Sequence, residues 1–265
     1  MQPLIVIPAR FASTRYPGKP LVELRGATGH SRSLIHRSWL AACQVPDCRV
    51  VVATDDNRIR EAAEGFGAQV VMTSESCVNG TERVAEAAQT LGGDHDIIVN
   101  LQGDAPLTPH WFVEDLIADL RAHPGFGVAT PVLRCDGAAL SGFREDRRAG
   151  RVGGTTAVFG ADRRGLYFSK EVIPYTGTDY PADADTPVWH HVGVYAYRPD
   201  ALRAYTGWDQ GPLETLEGLE QLRFLERGEP LLCTQVEARG RTFWELNNPE
   251  DVPRIEAMMA EMGME

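Results

Sequence analysis

Residues 4–20 read LIVIPARFASTRYPGKP, an apolar run that breaks at Pro8 into a loop carrying Arg10, Ser13, Thr14, Arg15, Gly18 and Lys19. Three cations and two hydroxyls so close together, straight after a strand, suit a polyphosphate. Arginine offers phosphate oxygens a planar fork of donors, and lysine offers a mobile point charge. Gly18 lets backbone approach a ligand closely. The same composition also suits a basic surface loop that merely follows a strand. The stretch is neither a P-loop nor a dinucleotide fingerprint, since GxxxxGK[ST] and GxGxxG do not occur there. A second chemical position is Asp104, at the end of another apolar run. A carboxylate there is solvated, paired or holding a cation, and Mg2+ is bound through one or two carboxylates with phosphate oxygens. A capping Asp in a turn fits the local residues equally well.

These residues need elements that bring them together. Residues 33–43 read as a helix, 49–54 as a strand ending in Thr54 and Asp55, and Ile59, Ala62, Ala63 and Phe66 have amphipathic helical spacing. Residues 69–72 read as a strand. Val84, Ala87, Ala88 and Leu91 line a helix, for which Thr81 serves as cap and Glu82 sits near the positive dipole end. Residues 97–101 form a strand ending in Gln102, Gly103 and Asp104, and Val113 to Leu120 a further helix. Strands alternating with helices predict an α/β, Rossmann-like, mainly parallel sheet with helices on both faces. In such sheets ligands sit beyond the carboxyl ends of the strands, so the clusters around Arg10, Thr54 and Gln102 should face one crevice.

The second half changes character. Strands are expected at 126–132, 156–159, 192–197 and 231–236. Residues 134–154, rich in Gly, Asp and Arg, read as a mobile excursion, and 176–186 as a polar loop. Leu213, Leu216, Leu219 and Leu222 should line one helix, with Glu214, Glu217 and Gln221 on one side of it. His190 and His191 are adjacent on a strand, face opposite sides and are unsuited to sharing one metal. A last helix is expected over 249–262, with Asn248 as N-cap and Pro249 at its first position. The division is into one nucleotide-binding half, about 1–125, and a smaller second part, about 126–265.

The chain has 265 residues, 43% hydrophobic, with a net charge of −11. That composition supports a substantial core and argues against a broad nucleic-acid face. Five scattered cysteines without a CxxC suit reduced thiols in the cytoplasm. The opening residues lack a signal-peptide pattern, and no apolar run is long enough to span a membrane.

PARFASTRYPGKPL resembles the signature loop of the CMP-Kdo synthetases, the 3-deoxy-manno-octulosonate cytidylyltransferases. The resemblance recurs in LQGDAPL against the family's QGDEP, NGTER against SGTER, LYFSK followed by IP against YFSR..IP, HVGVYAYR against HLGIYGYR, and PLE with LEQLR. It implies a nucleotide-diphospho-sugar transferase fold that transfers CMP from CTP to an acidic eight-carbon sugar, Kdo or a relative, and releases pyrophosphate. It implies nucleotide contacts from Pro8, Ala9, Arg10, Ser13, Arg15, Lys19, Thr54, Asp55, Gly80, Thr81, Arg83, Gln102 and Gly103. Arg10, Lys19 and Asp104 take catalytic roles. The sugar is expected at Lys170, His191, Tyr195, Glu214 and Gln221, and Mg2+ at Asp104 and Asn247, in a cytoplasmic homodimer. Four positions depart from the family pattern. Ala105 replaces its Glu, Thr156 its Lys and Lys170 its Arg, while Asn247 replaces the second metal-binding Asp. They leave open a different sugar acid or nucleotide, or a weakened, non-catalytic relative.

Overall fold

β1 (Leu4–Ala9) is the apolar run that opens the chain, and Leu4, Ile5, Val6 and Ile7 are each at 0% exposure. Neighbouring side chains on a strand face opposite ways, so a run buried at every position is covered on both faces. The computed structural model describes residues 1–12, 16–103, 106–152, 154–241, 244, 246 and 248–265. It divides into Met1–Glu114 with Ala238–Glu265, and Asp115–Glu237.

In the first unit a short antiparallel hairpin, β2 (Glu23–Arg25) and β3 (Ser31–Ser33), follows the opening loop. Then come α1 (Leu34–Ala42), β4 (Arg49–Thr54), α2 (Asn57–Gly65), β5 (Gln69–Met72), α3 (Gly80–Leu91) and β6 (Ile98–Leu101). β1 pairs in parallel with β4 and β6, and β4 with β5, in the order β5–β4–β1–β6. The chain moves outward from β1 to β5 and then crosses to β6 on the other side of β1. The order therefore reverses beside β1, which is where open parallel sheets form their ligand crevice. α4 (His110–Ala122) carries the chain past the boundary at Glu114.

The second unit contains β7 (Val128–Asp136), α5 (Gly137–Arg148), β8 (Thr155–Phe159), β9 (Gly165–Ser169), β10 (Asp185–His191), β11 (Val194–Tyr197), α6 (Pro199–Thr206), α7 (Pro212–Glu217), α8 (Leu222–Glu226) and β12 (Leu231–Val236). β7 is its spine. β12 runs parallel along one edge, with Leu231 opposite Val128 and Val236 opposite Leu133. β10 and then β11 run antiparallel along the other, and β8 and β9 extend the sheet from β10. At Ala238 the chain returns to the first unit and ends in α9 (Asp251–Glu261). There Ile255 and Met259 join Leu24, Leu34, Leu107 and Leu246 in one buried cluster.

Four expectations are corrected. Residues 134–154 are no excursion: β7 continues to Asp136, whose carboxylate accepts the Ala139 N–H at 2.7 Å and caps α5. Leu140 and Phe143 on α5 then pack on Cys135 and Val188. Residues 213–222 are not one helix, because Gly218, at φ 61°, takes the left-handed conformation and ends α7. Leu216 is consequently 82% exposed, and the leucines share no face. α3 is capped by Asn79, which accepts the Glu82 N–H at 2.9 Å, and not by Thr81. α9 begins at Asp251 rather than Pro249, and it is the Asp251 carboxylate that accepts the Asn248 N–H, at 2.7 Å.

Candidate active site

In the first unit, the carboxyl ends of β1, β4 and β6 present Arg10, Thr54 with Asp55, and Gln102 with Gly103. The ends of β1 and β6 approach closely, since a Cβ built on Gly103 would stand 3.4 Å from the Pro8 carbonyl oxygen. Arg10 is exposed, Pro8 half-buried and Ala9 buried. The loop after β1 is tied at its roots by the Gly18 N–H donating to the Phe11 carbonyl at 2.9 Å. Gly18 has φ 72°, a backbone state that a side chain would strain. Lys19, half-buried, opens the 3-10 turn Lys19–Leu21 directly behind it. Arg10 and Lys19 thus stand at the two ends of one closed loop. Ser13 and Arg15 lie outside the described residues, as do Asp104 and Asn247.

Thr81 and Arg83, expected at the nucleotide, are buried in the first two turns of α3. Arg83 donates to the Asp55 carboxylate at 2.6 Å and also to the Thr73 hydroxyl. It fastens α3 to the ends of β4 and β5, a role that spacing alone did not reveal. Gly80 opens the helix, and the Glu82 carboxylate accepts the Val78 N–H at 3.1 Å. Asn79 thus caps the helix, and Glu82 reaches back to the residue before the cap.

In the second unit, His191 is 5% exposed, with its Nε2 2.9 Å from the Thr130 hydroxyl. That hydroxyl has one proton, and the Val194 carbonyl lies 2.8 Å away to accept it. The His191 Nε2 therefore carries a proton and donates it. Burial first, and the neighbouring His190 second, push the imidazole down to about 3, so it stays neutral at physiological pH. Tyr195, also buried, donates to the Gln221 Oε1 at 3.0 Å. This fixes the Gln221 amide, and its buried Nε2 has no hydrogen-bond partner among the described residues. A buried N–H left without an acceptor costs about 1–3 kcal/mol, so Gln221 is a donor set up for an acceptor that the described residues do not supply.

Glu214 and Arg223 form a buried, two-pronged ion pair, Nε to Oε2 at 2.6 Å and Nη2 to Oε1 at 2.8 Å. Glu214, expected at the sugar, thereby has both oxygens engaged. Arg223 is the partner that helical spacing missed, because the break at Gly218 folds α8 back against α7. Glu217, beyond α7's first turn, accepts from the Ser169 hydroxyl at 2.7 Å and the Lys170 N–H at 2.9 Å. The Lys170 Nζ lies 3.0 Å from where a Cβ on Gly218 would stand. Lys170, Glu217 and Gly218 are thus one constellation, and the φ of 61° at Gly218 is what disfavours a side chain there.

None of the five cysteines forms a disulfide. Burial pushes the thiols of Cys77, Cys135 and Cys233 up to about 12, so none of the three is a thiolate nucleophile at neutral pH. Among the described residues no group of three His, Cys, Asp or Glu side chains is placed to hold a metal ion. None of their helices is long and apolar enough to cross a membrane.

Residues 4–231 match a family model described as cytidylyltransferase. The 3-deoxy-manno-octulosonate cytidylyltransferase of Maricaulis maris (strain MCS10) is 42% identical over 264 residues, 99% of each chain. The 8-amino-3,8-dideoxy-manno-octulosonate cytidylyltransferase of Shewanella piezotolerans is 38% identical, covering 98% of this chain and 99% of that one. A solved structure of CMP:2-keto-3-deoxy-manno-octonic acid synthetase complexed with CTP is similar at a TM-score of 0.82 and 31% identity, covering 99% of this chain and 100% of that one.

Proposed function

The chain belongs to the cytidylyltransferase family, a group of nucleotidyltransferase enzymes, and we propose that it transfers CMP from CTP to the anomeric hydroxyl of Kdo or a close relative. The observation that carries this reading is the unbroken, full-length likeness to relatives bearing that activity in their names. The sugar hydroxyl attacks the α-phosphorus and gives its proton to solvent, one P–O bond forms, another breaks, and pyrophosphate leaves with the negative charge. Such chemistry rests on positioning and charge neutralisation. Arg10 and Lys19, from the two roots of the loop after β1, hold phosphate oxygens and draw charge from the departing pyrophosphate. Ser13 and Arg15 contribute further donors from the same loop. Pro8, Ala9, Gln102 and Gly103 line the nucleotide with backbone, while Arg83 keeps Asp55 and the start of α3 in place.

In the second unit, Gln221 offers its unpartnered amide to a sugar oxygen, and Tyr195 and His191 hold that arrangement from the core. Lys170 takes the sugar carboxylate. Asp104 and Asn247, with phosphate oxygens, would hold a hard divalent cation such as Mg2+, whose preferred ligands are oxygens. When bound, the ion lowers the repulsion between nucleophile and phosphate. We place the enzyme in the cytoplasm, where its five cysteines would stay reduced, and as a homodimer. Sedimentation at micromolar protein as a 29.1 kDa monomer would remove the dimer from the proposal.

The test is pyrophosphate release from CTP and Mg2+ with Kdo, with the 8-amino sugar acid, and with neither. Release that depends on Kdo supports the reading. Release with the 8-amino acid alone would shift the acceptor to that relative. No sugar-dependent release would refute it.

A further inference from the structure

The loop that carries Arg10 and Lys19 is clasped from outside by a residue that no phosphate contact requires. The guanidinium carbon of Arg58 lies 3.3 Å from the centroid of the Phe11 ring. Phe11 is the residue after Arg10, and its carbonyl receives the Gly18 N–H that closes the loop. On Gly18's side the fit is equally close, since a Cβ there would come within 3.0 Å of the ring. Phe11 therefore ties the loop to both Gly18 and Arg58.

Arg58 is itself fixed. Its Nε and Nη2 donate to the two carboxylate oxygens of Asp56, at 3.0 and 2.6 Å. Asp56 in turn caps α2 by accepting the Arg58 N–H at 2.9 Å. The first turn of α2, the Asp56 carboxylate, the Arg58 plane and the Phe11 ring thus form a continuous stack from a rigid helix to the loop. The Arg58 side chain is 58% exposed, so this arrangement adds little to the core. Asp56 thus holds the Arg58 fork in place, and the Phe11 ring receives it.

We propose that Arg58 is a positioning residue for the triphosphate loop, acting through Phe11 to hold Arg10 and Lys19 in their phosphate-binding arrangement. The inference rests on the CTP reading above and adds a residue of α2 to it. Positioning of this kind acts on the β- and γ-phosphates and not on the base. Arg58→Ala and Phe11→Leu should each raise the Kd for CTP about three- to fivefold, the scale of one exposed cation–π contact. The Kd for CMP should stay within about twofold. Because both changes remove one shared contact, the double variant should be no weaker than the worse single one. Arg58→Lys can still place a cation over the ring but loses the planar fork that Asp56 holds, so its Kd for CTP should lie between those of the unaltered chain and Arg58→Ala.

Calorimetric titration of the full chain with CTP and with CMP, alongside denaturant midpoints, reads all of this. Unchanged CTP binding in Arg58→Ala overturns the inference. So does equal weakening of CTP and CMP, or losses that multiply in the double variant. An unaltered chain that binds no CTP overturns the inference together with the reading beneath it, whereas normal binding with indifferent variants overturns the inference alone.

Discussion

Replacing Glu214 by Gln separates two roles that this residue could have, one in the sugar site and one in the core. Glu214 and Arg223 have side chains 3% and 2% exposed, and two short hydrogen bonds join them. The Arg223 guanidinium also stacks on Tyr205 at 4.1 Å and donates to the Trp208 carbonyl at 3.2 Å. Glu214→Gln keeps the shape and removes the charge, leaving a buried cation that cannot release its proton. Breaking one side of a buried pair costs about 3–5 kcal/mol. For a chain of this size that corresponds to a fall in Tm of roughly 6–20 °C. The same reasoning says that Glu214→Leu combined with Arg223→Met should recover much of the loss, since well-packed apolar residues often replace such pairs at little cost. Thermal and denaturant unfolding of the three variants measure this. A Glu214→Gln protein with unaltered stability and a raised KM for the sugar would refute the structural assignment and return Glu214 to the substrate.

Three further predictions follow from the site. His191, held neutral by burial with a value of about 3, must gain a proton on unfolding at acid pH, so stability should fall as pH drops below about 6.5 and continue to fall toward 3. Denaturant midpoints at pH 7, 6 and 5 should decline, and a His191→Asn variant should show a shallower decline; parallel slopes would count against it. Lys19→Ala should weaken CTP binding by about 1.5–3 kcal/mol, the range for a charged hydrogen bond, and calorimetry giving an unaltered Kd would contradict it. Asn247→Asp, by adding a carboxylate to the donor set, should lower the Mg2+ concentration for half-maximal activity; superimposable magnesium titrations would take Asn247 out of the donor set.

The first unit was far more legible than the second, and the reason lies in the residues. Arg49–Thr54 and Gln69–Met72 are runs buried or bounded so clearly that the expected and observed strands coincide. A parallel sheet buried on both faces leaves that kind of mark. The carboxyl-edge grouping of Arg10, Thr54 and Gln102 followed from it, because topology alone decides which strand ends lie together. In the second unit the marks are weaker. β10 begins at Asp185-Thr186-Pro187, residues that read as loop, and it is held there by pairing with β7 and β8. Leu213 and Leu216 have helical spacing but face solvent on α7, and a left-handed glycine ends that helix before Leu219 and Leu222. The caps were partly readable: Asn79 three residues before Glu82 is a recognisable signal that was passed over for Thr81. Arg58 on Phe11 was not readable, since nothing local links two residues so far apart in sequence.

The return of Ala238–Glu265 to the first unit has a consequence for synthesis. Leu24 and Leu34 meet Ile255 and Met259 in one buried cluster, so that core lacks a wall until nearly the whole chain has been made. The intervening unit, Asp115–Glu237, is continuous and can close on itself first. Vectorial translation thus reverses the order of the sequence: the middle can mature while the opening strands wait for α9. Protease protection in arrested nascent chains should appear in residues 115–237 before it appears in residues 1–114, and the opposite order would show that the opening strands are self-sufficient.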